Sequence, residues 1–117
     1  MAKPKVLIVE DNFDIQRNYR EALESVAEVL SAYTIKEAEE LFATNPDIVA
    51  ITMDACVPGG KPNTQHLVRM MRATFSGPMI AASSDSYYCG LLKDAGCSHS
   101  CDQKWMLPKE LKMVLGL

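Results

Sequence analysis

Residues 46–54 read PDIVAITMD, an apolar run that begins after a proline and ends in one carboxylate, Asp54. The run is rich in β-branched residues and lacks polar alternation, which predicts a strand covered on both faces in the centre of a parallel sheet. The segment CVPGG at 56–60 then predicts a loop. Ligands of open α/β sheets bind outside the carboxyl ends of the strands, so Asp54 is the expected chemical centre.

Apolar runs typical of strands recur at 5–9, 28–32 and 79–82, with a weaker one within 97–103. Each is followed by a segment whose apolar residues repeat at helical spacing. Five alternating strand and helix units with short connections predict an α/β fold, a doubly wound five-stranded parallel sheet of flavodoxin-like topology with helices on both faces. The 117 residues are expected to form one domain, 1–117.

Capping residues indicate where the helices begin. The candidates are Asn12, Thr34 with Glu37 three residues on, Asn63 or Thr64, and Pro108 in the first turn of the last helix. The helical side chains expected to face the core are Ile15, Tyr19, Ala22, Leu23, Val26, Ile35, Ala38, Leu41, Phe42, Leu67, Met70, Met71, Phe75, Leu91, Leu92, Ala95, Leu111, Val114 and Leu115.

Composition excludes several classes of function. The formal net charge is −3, which argues against nucleic-acid or membrane binding because such surfaces need clustered lysine and arginine. No run approaches the roughly 20 apolar residues of a membrane span. The first residues lead directly into a strand, which leaves no room for a signal peptide, and the four cysteines are expected to be reduced thiols in the cytoplasm.

Charged and polar residues follow four of the predicted strands: Glu10 with Asp11, Asp54, Ser83, and Lys104 near the fifth strand. Carboxyl ends of parallel strands meet at one edge of the sheet, where three carboxylates would repel one another without a cation. Mg²⁺, which prefers oxygen ligands, is the expected occupant. Asp54 could then act as a nucleophile toward a phosphoryl group whose oxygens meet the metal, a lysine ammonium and a hydroxyl.

Each of these residues also has a purely structural explanation. An acidic pair after a strand is often a loop start or helix cap, and a single aspartate at a strand end is often a turn residue. Ser83 with the next two residues would be interpreted as a cap, and Lys104 as a surface lysine. Only their joint placement on successive strand ends favours a functional site.

The pattern resembles the response-regulator receiver domain of two-component signalling, over essentially the whole chain. The matching segments are KVLIVEDN at 5–12, Asp54 with Pro58 and Gly59, PMIAAS at 78–83, Ala95 with Gly96, and Lys104 with Leu111. The first two are the specific ones. The resemblance implies a cytoplasmic phosphoprotein, a signalling module of a phosphorelay rather than a turnover enzyme.

By this resemblance, Asp54 is the phosphoacceptor, phosphorylated by a histidine kinase, a phosphotransfer protein or a small phosphodonor. Asp11 resembles the direct Mg²⁺ ligand, and Glu10 the residue that holds the ion through water. The backbone carbonyl of Cys56, two residues after the acceptor, would complete the metal site together with Asp54.

Ser83 matches the hydroxyl that meets the phosphoryl group, and Lys104 matches the paired cation. Counting forward from Gly96 would place Gln103 in the lysine position, but a glutamine cannot supply the charge, so Lys104 with a one-residue insertion is preferred. The proline that normally follows this lysine is Trp105 here, and the aromatic residue that reports phosphorylation is Cys101.

The resemblance further implies that the signal leaves through the face formed by the fourth helix, the fifth strand and the fifth helix. Tyr87, Tyr88 and Trp105 are expected to be exposed on this partner-binding face, which spans 87–113. The expected partners are a kinase or phosphotransfer protein and a downstream effector protein. Receivers often dimerise when phosphorylated, so a homodimer is a further expected state, while direct contact with nucleic acid or membrane is not expected.

Three other functions are compatible with an α/β fold of this size. A pseudo-receiver would use the same fold as an interaction module without phosphorylation. A haloacid-dehalogenase-type phosphatase would need a second aspartate where Cys56 stands, and a flavodoxin-like binder would need a phosphate loop where Glu10 and Asp11 would repel phosphate. Cys97, His99 and Cys101 would share one face of a strand, but their spacing is not that of a zinc site.

Overall fold

The computed structural model describes residues 2–117, in which strands and helices alternate along the chain. The strands are β1 (Lys5–Val9), β2 (Glu28–Ala32), β3 (Ile48–Met53), β4 (Met79–Ala82) and β5 (His99–Cys101). The α-helices are α1 (Phe13–Leu23), α2 (Ile35–Thr44), α3 (Gln65–Arg72), α4 (Ser86–Ala95) and α5 (Leu107–Leu115). A 3₁₀ turn at Lys104–Met106, which the sequence did not predict, precedes α5.

The strands form one parallel sheet in the order β2-β1-β3-β4-β5, which confirms the predicted doubly wound fold. The pairing continues one residue beyond β1 and β3. The N–H of Glu10 donates to the carbonyl of Ala32 at 3.0 Å, and the N–H of Asp54 donates to the carbonyl of Val9 at 2.9 Å. The sheet itself therefore fixes the backbone of both acidic residues.

Two core layers cover the two faces of the sheet. One layer packs α2, α3 and α4 against the sheet and contains Leu7, Ile51 and Leu92. The other packs α1 and α5 against the opposite face and contains Ile8 and Ile80. The central strand was expected to be covered on both faces, and this holds except near its start, where the side chain of Val49 is 37% exposed.

Two of the predicted helix caps form as expected. The side chain of Asn12 accepts from the N–H of Ile15 at 3.0 Å, and the hydroxyl of Thr34 accepts from the N–H of Glu37 at 3.0 Å. The Glu37 carboxylate accepts from the N–H of Tyr33, one residue before the cap. Both caps stabilise helices whose first turns stand near the carboxyl edge of the sheet.

The predicted start of α3 at Asn63 or Thr64 is confirmed, with Thr64 at the cap position, but no side-chain capping bond forms. The buried hydroxyl of Thr64 instead donates to the carbonyl oxygens of Asp54 and Ala55, at 2.8 and 3.2 Å. Asn63 exchanges two side-chain hydrogen bonds with the backbone of Val57, at 2.7 and 2.8 Å. Both residues stabilise the loop that follows Asp54.

Two core predictions on the helices were wrong. Ala22 is exposed, and Met70 is 42% exposed, whereas Gln16 and Val68 are fully buried. In α1 the buried residues are Gln16, Tyr19 and Leu23, so a polar side chain occupies a position of the inward-facing stripe.

The expectation that Cys97, His99 and Cys101 share one face was also wrong. β5 begins only at His99, and Cys97 lies two residues after the end of α4, where its N–H donates to the carbonyl of Leu92 at 3.0 Å. Cys97 and Cys101 consequently lie in different core layers, and His99 is exposed.

Candidate functional site

A cavity of about 320 Å³ opens at the carboxyl edge of the sheet. All the side chains predicted at the strand ends line it, together with parts of the neighbouring loops: Glu10, Asp11, Asp54, Cys56, Ser83 and Lys104, with Asn12, Gly59, Asp85 and Tyr88 among the others. The parallel topology thus brings together residues that are up to 94 positions apart in the sequence.

The three carboxylates form a compact cluster. One oxygen from each of Glu10, Asp11 and Asp54 can be chosen so that all three lie within 4.8 Å of one another. Glu10 is 2% exposed and Asp54 is 6% exposed, so two of the three charges are largely removed from water. Such a cluster needs a compensating positive charge or a bound proton.

Lys104 supplies one positive charge. Its Nζ lies 2.7 Å from Oε1 of Glu10 and 3.2 Å from Oδ1 of Asp54, whereas Gln103 is exposed. Three carboxylates and one ammonium leave two uncompensated negative charges when all are ionised. That deficit equals the charge of one divalent cation.

Burial is the main cause of the raised pKa values of the two buried carboxylates, and repulsion between the carboxylates adds to it. Burial, together with the charge of Asp54, raises the pKa of Glu10 to about 7, against the opposing effect of its hydrogen bond to Lys104. Burial also raises the pKa of Asp54 despite the nearby lysine. For Lys104, burial opposes the charged form, but the contacts with Glu10 and Asp54 outweigh this effect and raise the pKa of the lysine.

The loop after Asp54 contacts Asp11, which is more exposed than the other two carboxylates. The N–H of Gly59 donates to Oδ2 of Asp11 at 2.9 Å, which connects this loop to the end of β1. Cys56 is half-buried, and burial raises the pKa of its thiol, so the thiol is protonated at neutral pH. The thiol is therefore neither charged nor a strong metal ligand.

Ser83 lies at the end of β4 on the opposite side of the cavity and is 5% exposed. Its Oγ accepts from the N–H of Asp85 at 3.2 Å, and Asp85 caps α4 by accepting from the N–H of Tyr87 at 2.9 Å. A short series of hydrogen bonds therefore leads from the serine to the first turn of α4.

The aromatic residues of the predicted partner face differ in exposure. Tyr87 is 69% exposed and Trp105 is 75% exposed, as expected. Tyr88 is half-buried instead, because its ring packs against the core layer beneath α4 and lines the acidic cavity.

Sequence reasoning missed the part played by two buried residues of α1. The amide nitrogen of Gln16 donates to the carbonyl oxygens of Ile8, Glu10 and Ala32, at 2.9, 3.0 and 3.2 Å. The hydroxyl of Tyr19 donates to the carbonyl of Lys104 at 2.8 Å. A signal for Gln16 existed, since it precedes Tyr19 by three positions on the apolar side of the helix.

The donor set fits a hard divalent cation, since it consists of clustered carboxylate oxygens with two excess negative charges. Within residues 2–117, Glu10, Asp11 and Asp54 are the one group of His, Cys, Asp and Glu side chains close enough together to hold a metal ion. Cys97, His99 and Cys101 do not form a second such group. None of the helices in residues 2–117 combines the length and the apolar character needed to cross a bilayer.

Without a divalent cation, stability is expected to fall between pH 6 and pH 8. The pKa of Glu10 is about 7 in the folded protein against 4.5 ordinarily, so the folded state holds more protons above pH 4.5 and loses this advantage as pH rises through 7. The loss amounts to about 1 kcal/mol, or roughly 4 °C in Tm. A divalent cation at this cluster would compete with that proton, so added Mg²⁺ is expected to raise Tm more at pH 8 than at pH 6.

Thermal unfolding with EDTA and with Mg²⁺ at both pH values measures these effects. The Glu10→Gln variant serves as the control and should lose most of the pH dependence. Equal Tm values for the wild type at pH 6 and pH 8 in EDTA would contradict the account.

No protein-family model matches the sequence, and no curated protein matches it. Solved structures do match. A two-component response regulator from Clostridium difficile is 16% identical over 97% of each chain, with a TM-score of 0.82. A chemotaxis response regulator of Vibrio cholerae is 20% identical over 97% of this chain and 99% of that chain, with a TM-score of 0.79.

The non-phosphorylated HemR receiver domain from Leptospira biflexa is 25% identical over 97% of this chain and 92% of that chain, with a TM-score of 0.77. These structures match this chain over nearly its full length. The chain therefore has the fold of a response-regulator receiver domain.

Proposed function

We propose that this chain is the phosphoacceptor receiver of a two-component response regulator and that Asp54 receives the phosphoryl group. The observation that carries the proposal is the arrangement around Asp54 in one cavity: the carboxylates of Glu10 and Asp11 on one side and the Lys104 ammonium on another. Separate structural explanations of these residues do not account for their convergence on one nucleophile.

The metal proposed for this site is Mg²⁺, held by the carboxylates of Glu10, Asp11 and Asp54 and by the carbonyl oxygen of Cys56. When bound, the ion supplies positive charge to the carboxylates and to the oxygens of the incoming phosphoryl group. Burial is the main cause of the raised pKa of Glu10, and the charge of Asp54 adds to it, so a bound cation would lower the cost of ionising both carboxylates.

The chemistry is the transfer of a phosphoryl group to a carboxylate. An Oδ atom of Asp54 attacks the phosphorus of a phosphohistidine or a small phosphodonor, the O–P bond forms, and the bond to the donor's nitrogen or oxygen breaks. The donor leaves with the bonding electron pair, as a neutral imidazole from phosphohistidine or as a carboxylate anion from acetyl phosphate. Lys104 and the hydroxyl of Ser83 bind the phosphoryl oxygens, which disperses the charge of the transition state.

The resulting acyl phosphate would change the surface formed by α4, β5 and α5. Ser83 is connected to the first turn of α4 through Asp85, and Lys104 precedes the exposed Trp105. We place a downstream effector protein on this face, and a histidine kinase or phosphotransfer protein at the cavity. The module acts in the cytoplasm, without contacting nucleic acid or membrane, and dimerisation on phosphorylation is one form its output could take.

Beryllium fluoride, a mimic of the aspartyl phosphate, tests both binding and coupling. In the presence of Mg²⁺, we expect fluorine NMR to show bound fluoroberyllate and Trp105 fluorescence to change saturably, because the ligand engages the lysine next to Trp105. The Asp54→Asn variant should show neither response. Fluorine spectra that contain only free fluoroberyllate for the wild type would contradict a phosphoryl-binding site.

One observation favours the pseudo-receiver as a second candidate. Cys101 stands where receivers carry a mobile aromatic residue; it is 6% exposed, and its Sγ lies 3.1 Å from the carbonyl of Gln103. A small, packed thiol cannot swing as an aromatic ring does. Bound fluoroberyllate without any change in Trp105 fluorescence would indicate phosphorylation chemistry with another output route, whereas the absence of binding would favour the pseudo-receiver.

A further inference from the structure

The backbone that carries Lys104 has few constraints of its own. Lys104 is the first residue of a single 3₁₀ turn that has no side-chain cap. Trp105, which follows it, is 75% exposed and therefore packs little against the core. Within this turn the Lys104 carbonyl accepts a hydrogen bond from the N–H of Leu107, and its other contacts come from elsewhere in the fold.

Tyr19 provides such a contact. Its side chain is 3% exposed in the layer between α1 and α5, and its hydroxyl donates to the carbonyl of Lys104 at 2.8 Å. The bond joins residues that are 85 positions apart in the sequence. It holds the peptide of Lys104 against a rigid helix.

The same helix also holds the other half of the ion pair. Gln16 lies one turn before Tyr19 and is fully buried, and its amide donates to the carbonyl of Glu10 at 3.0 Å. Two adjacent turns of α1 thus hold the backbones of Glu10 and Lys104. The side chains of these two residues meet at 2.7 Å.

We propose that Tyr19 is a positioning residue, which places the Lys104 ammonium beside Asp54 by holding the Lys104 carbonyl. Its effect on phosphorylation rests on the proposed function, whereas its effect on the position of Lys104 does not. Tyr19 itself does not reach the phosphoryl group and acts only through the lysine. The hydrogen bond from Gln16 holds the backbone of Glu10, so the carboxylate that pairs with Lys104 has a defined position.

The Tyr19→Phe variant keeps the buried ring and removes the hydrogen bond. The position of Lys104 is tested by NMR of the lysine ammonium groups in ¹⁵N-labelled protein, with Lys104→Arg to assign the signal. We expect a separate, slowly exchanging Lys104 ammonium in the wild type, which merges with the surface lysines in Tyr19→Phe. Tyr33→Phe, which removes a hydroxyl from the ring stacked on Phe13, should leave it unchanged.

The rate of labelling by acetyl phosphate provides the second readout. Tyr19→Phe should lower it about tenfold, which corresponds to roughly 1.4 kcal/mol in the barrier. In a Lys104→Ala background the same substitution should change the rate less than about twofold, because its effect passes through the lysine. A purely structural role would give similar losses in both backgrounds.

The proposal is overturned if the Lys104 ammonium behaves identically in the wild type and in Tyr19→Phe, or if it resembles a surface lysine in the wild type. Equal rate losses in the presence and absence of Lys104 would overturn it as well. If the wild type takes no phosphoryl group, the proposed function fails, and the NMR comparison still decides the role of Tyr19.

Discussion

Replacing Asp54 by asparagine is expected to abolish phosphorylation by a small phosphodonor such as acetyl phosphate. The amide is nearly isosteric with the carboxylate, so the fold should persist, but it offers no nucleophilic oxygen anion. The variant should also be at least as stable as the wild type in EDTA. Burial raises the pKa of Asp54, which means that its charge is unfavourable in the folded state.

Asp85→Asn is the matched control. Asp85 lines the same cavity but serves as the cap of α4, a task that asparagine performs equally well. Labelling with radioactive acetyl phosphate should be retained in Asp85→Asn and absent in Asp54→Asn. Labelling that persists in Asp54→Asn would show that the acceptor is another residue.

Replacing Lys104 by alanine is expected to affect both stability and chemistry. Its ammonium offsets the buried charges of Glu10 and Asp54, and removing one member of a buried pair costs about 3–5 kcal/mol. The lysine side chain is 22% exposed, so about 2 kcal/mol is expected at pH 8. The rate of phosphorylation should fall on the order of 100-fold, as on removal of one donor from a developing charge.

The loss of stability in Lys104→Ala should shrink toward pH 6. Without the lysine, the pKa of Glu10 rises further, so a proton replaces the missing charge as the pH falls. Thermal unfolding at both pH values and labelling at pH 8 measure the two effects, with the exposed Lys36→Ala as control. Wild-type labelling in Lys104→Ala would remove the lysine from the mechanism.

The fold could be predicted because its determinants are local. The apolar runs of β1, β3 and β4 are uninterrupted, and the caps at Asn12 and Thr34 precede clear helical patterns. Parallel topology then brings the strand ends together, so the convergence of Glu10 and Asp54 follows from the strand pattern. The choice of Lys104 over Gln103 depended on the resemblance to receiver domains, because Lys104 lies in the turn after β5. The placement of Ser83 in the cavity also follows from its position at the end of β4.

The errors arose where a tertiary contact overrides a local pattern. Thr64 has a cap's position and chemistry, yet its hydroxyl satisfies two carbonyls of the loop after Asp54. Gln16 is polar but buried, because its amide nitrogen donates to backbone carbonyl oxygens at the ends of β1 and β2. Met70 lies at a helical position next to the core and is nevertheless turned toward solvent.

The intact mass of the wild-type protein after exposure to Mg²⁺ and acetyl phosphate shows whether Asp54 accepts a phosphoryl group. We predict the addition of one phosphoryl group that requires Mg²⁺, is suppressed by EDTA, and maps to the peptide containing Asp54. An unmodified mass under these conditions, in a protein whose Tm still rises with Mg²⁺, would contradict the account. It would show a receiver fold that binds the ion without accepting a phosphoryl group.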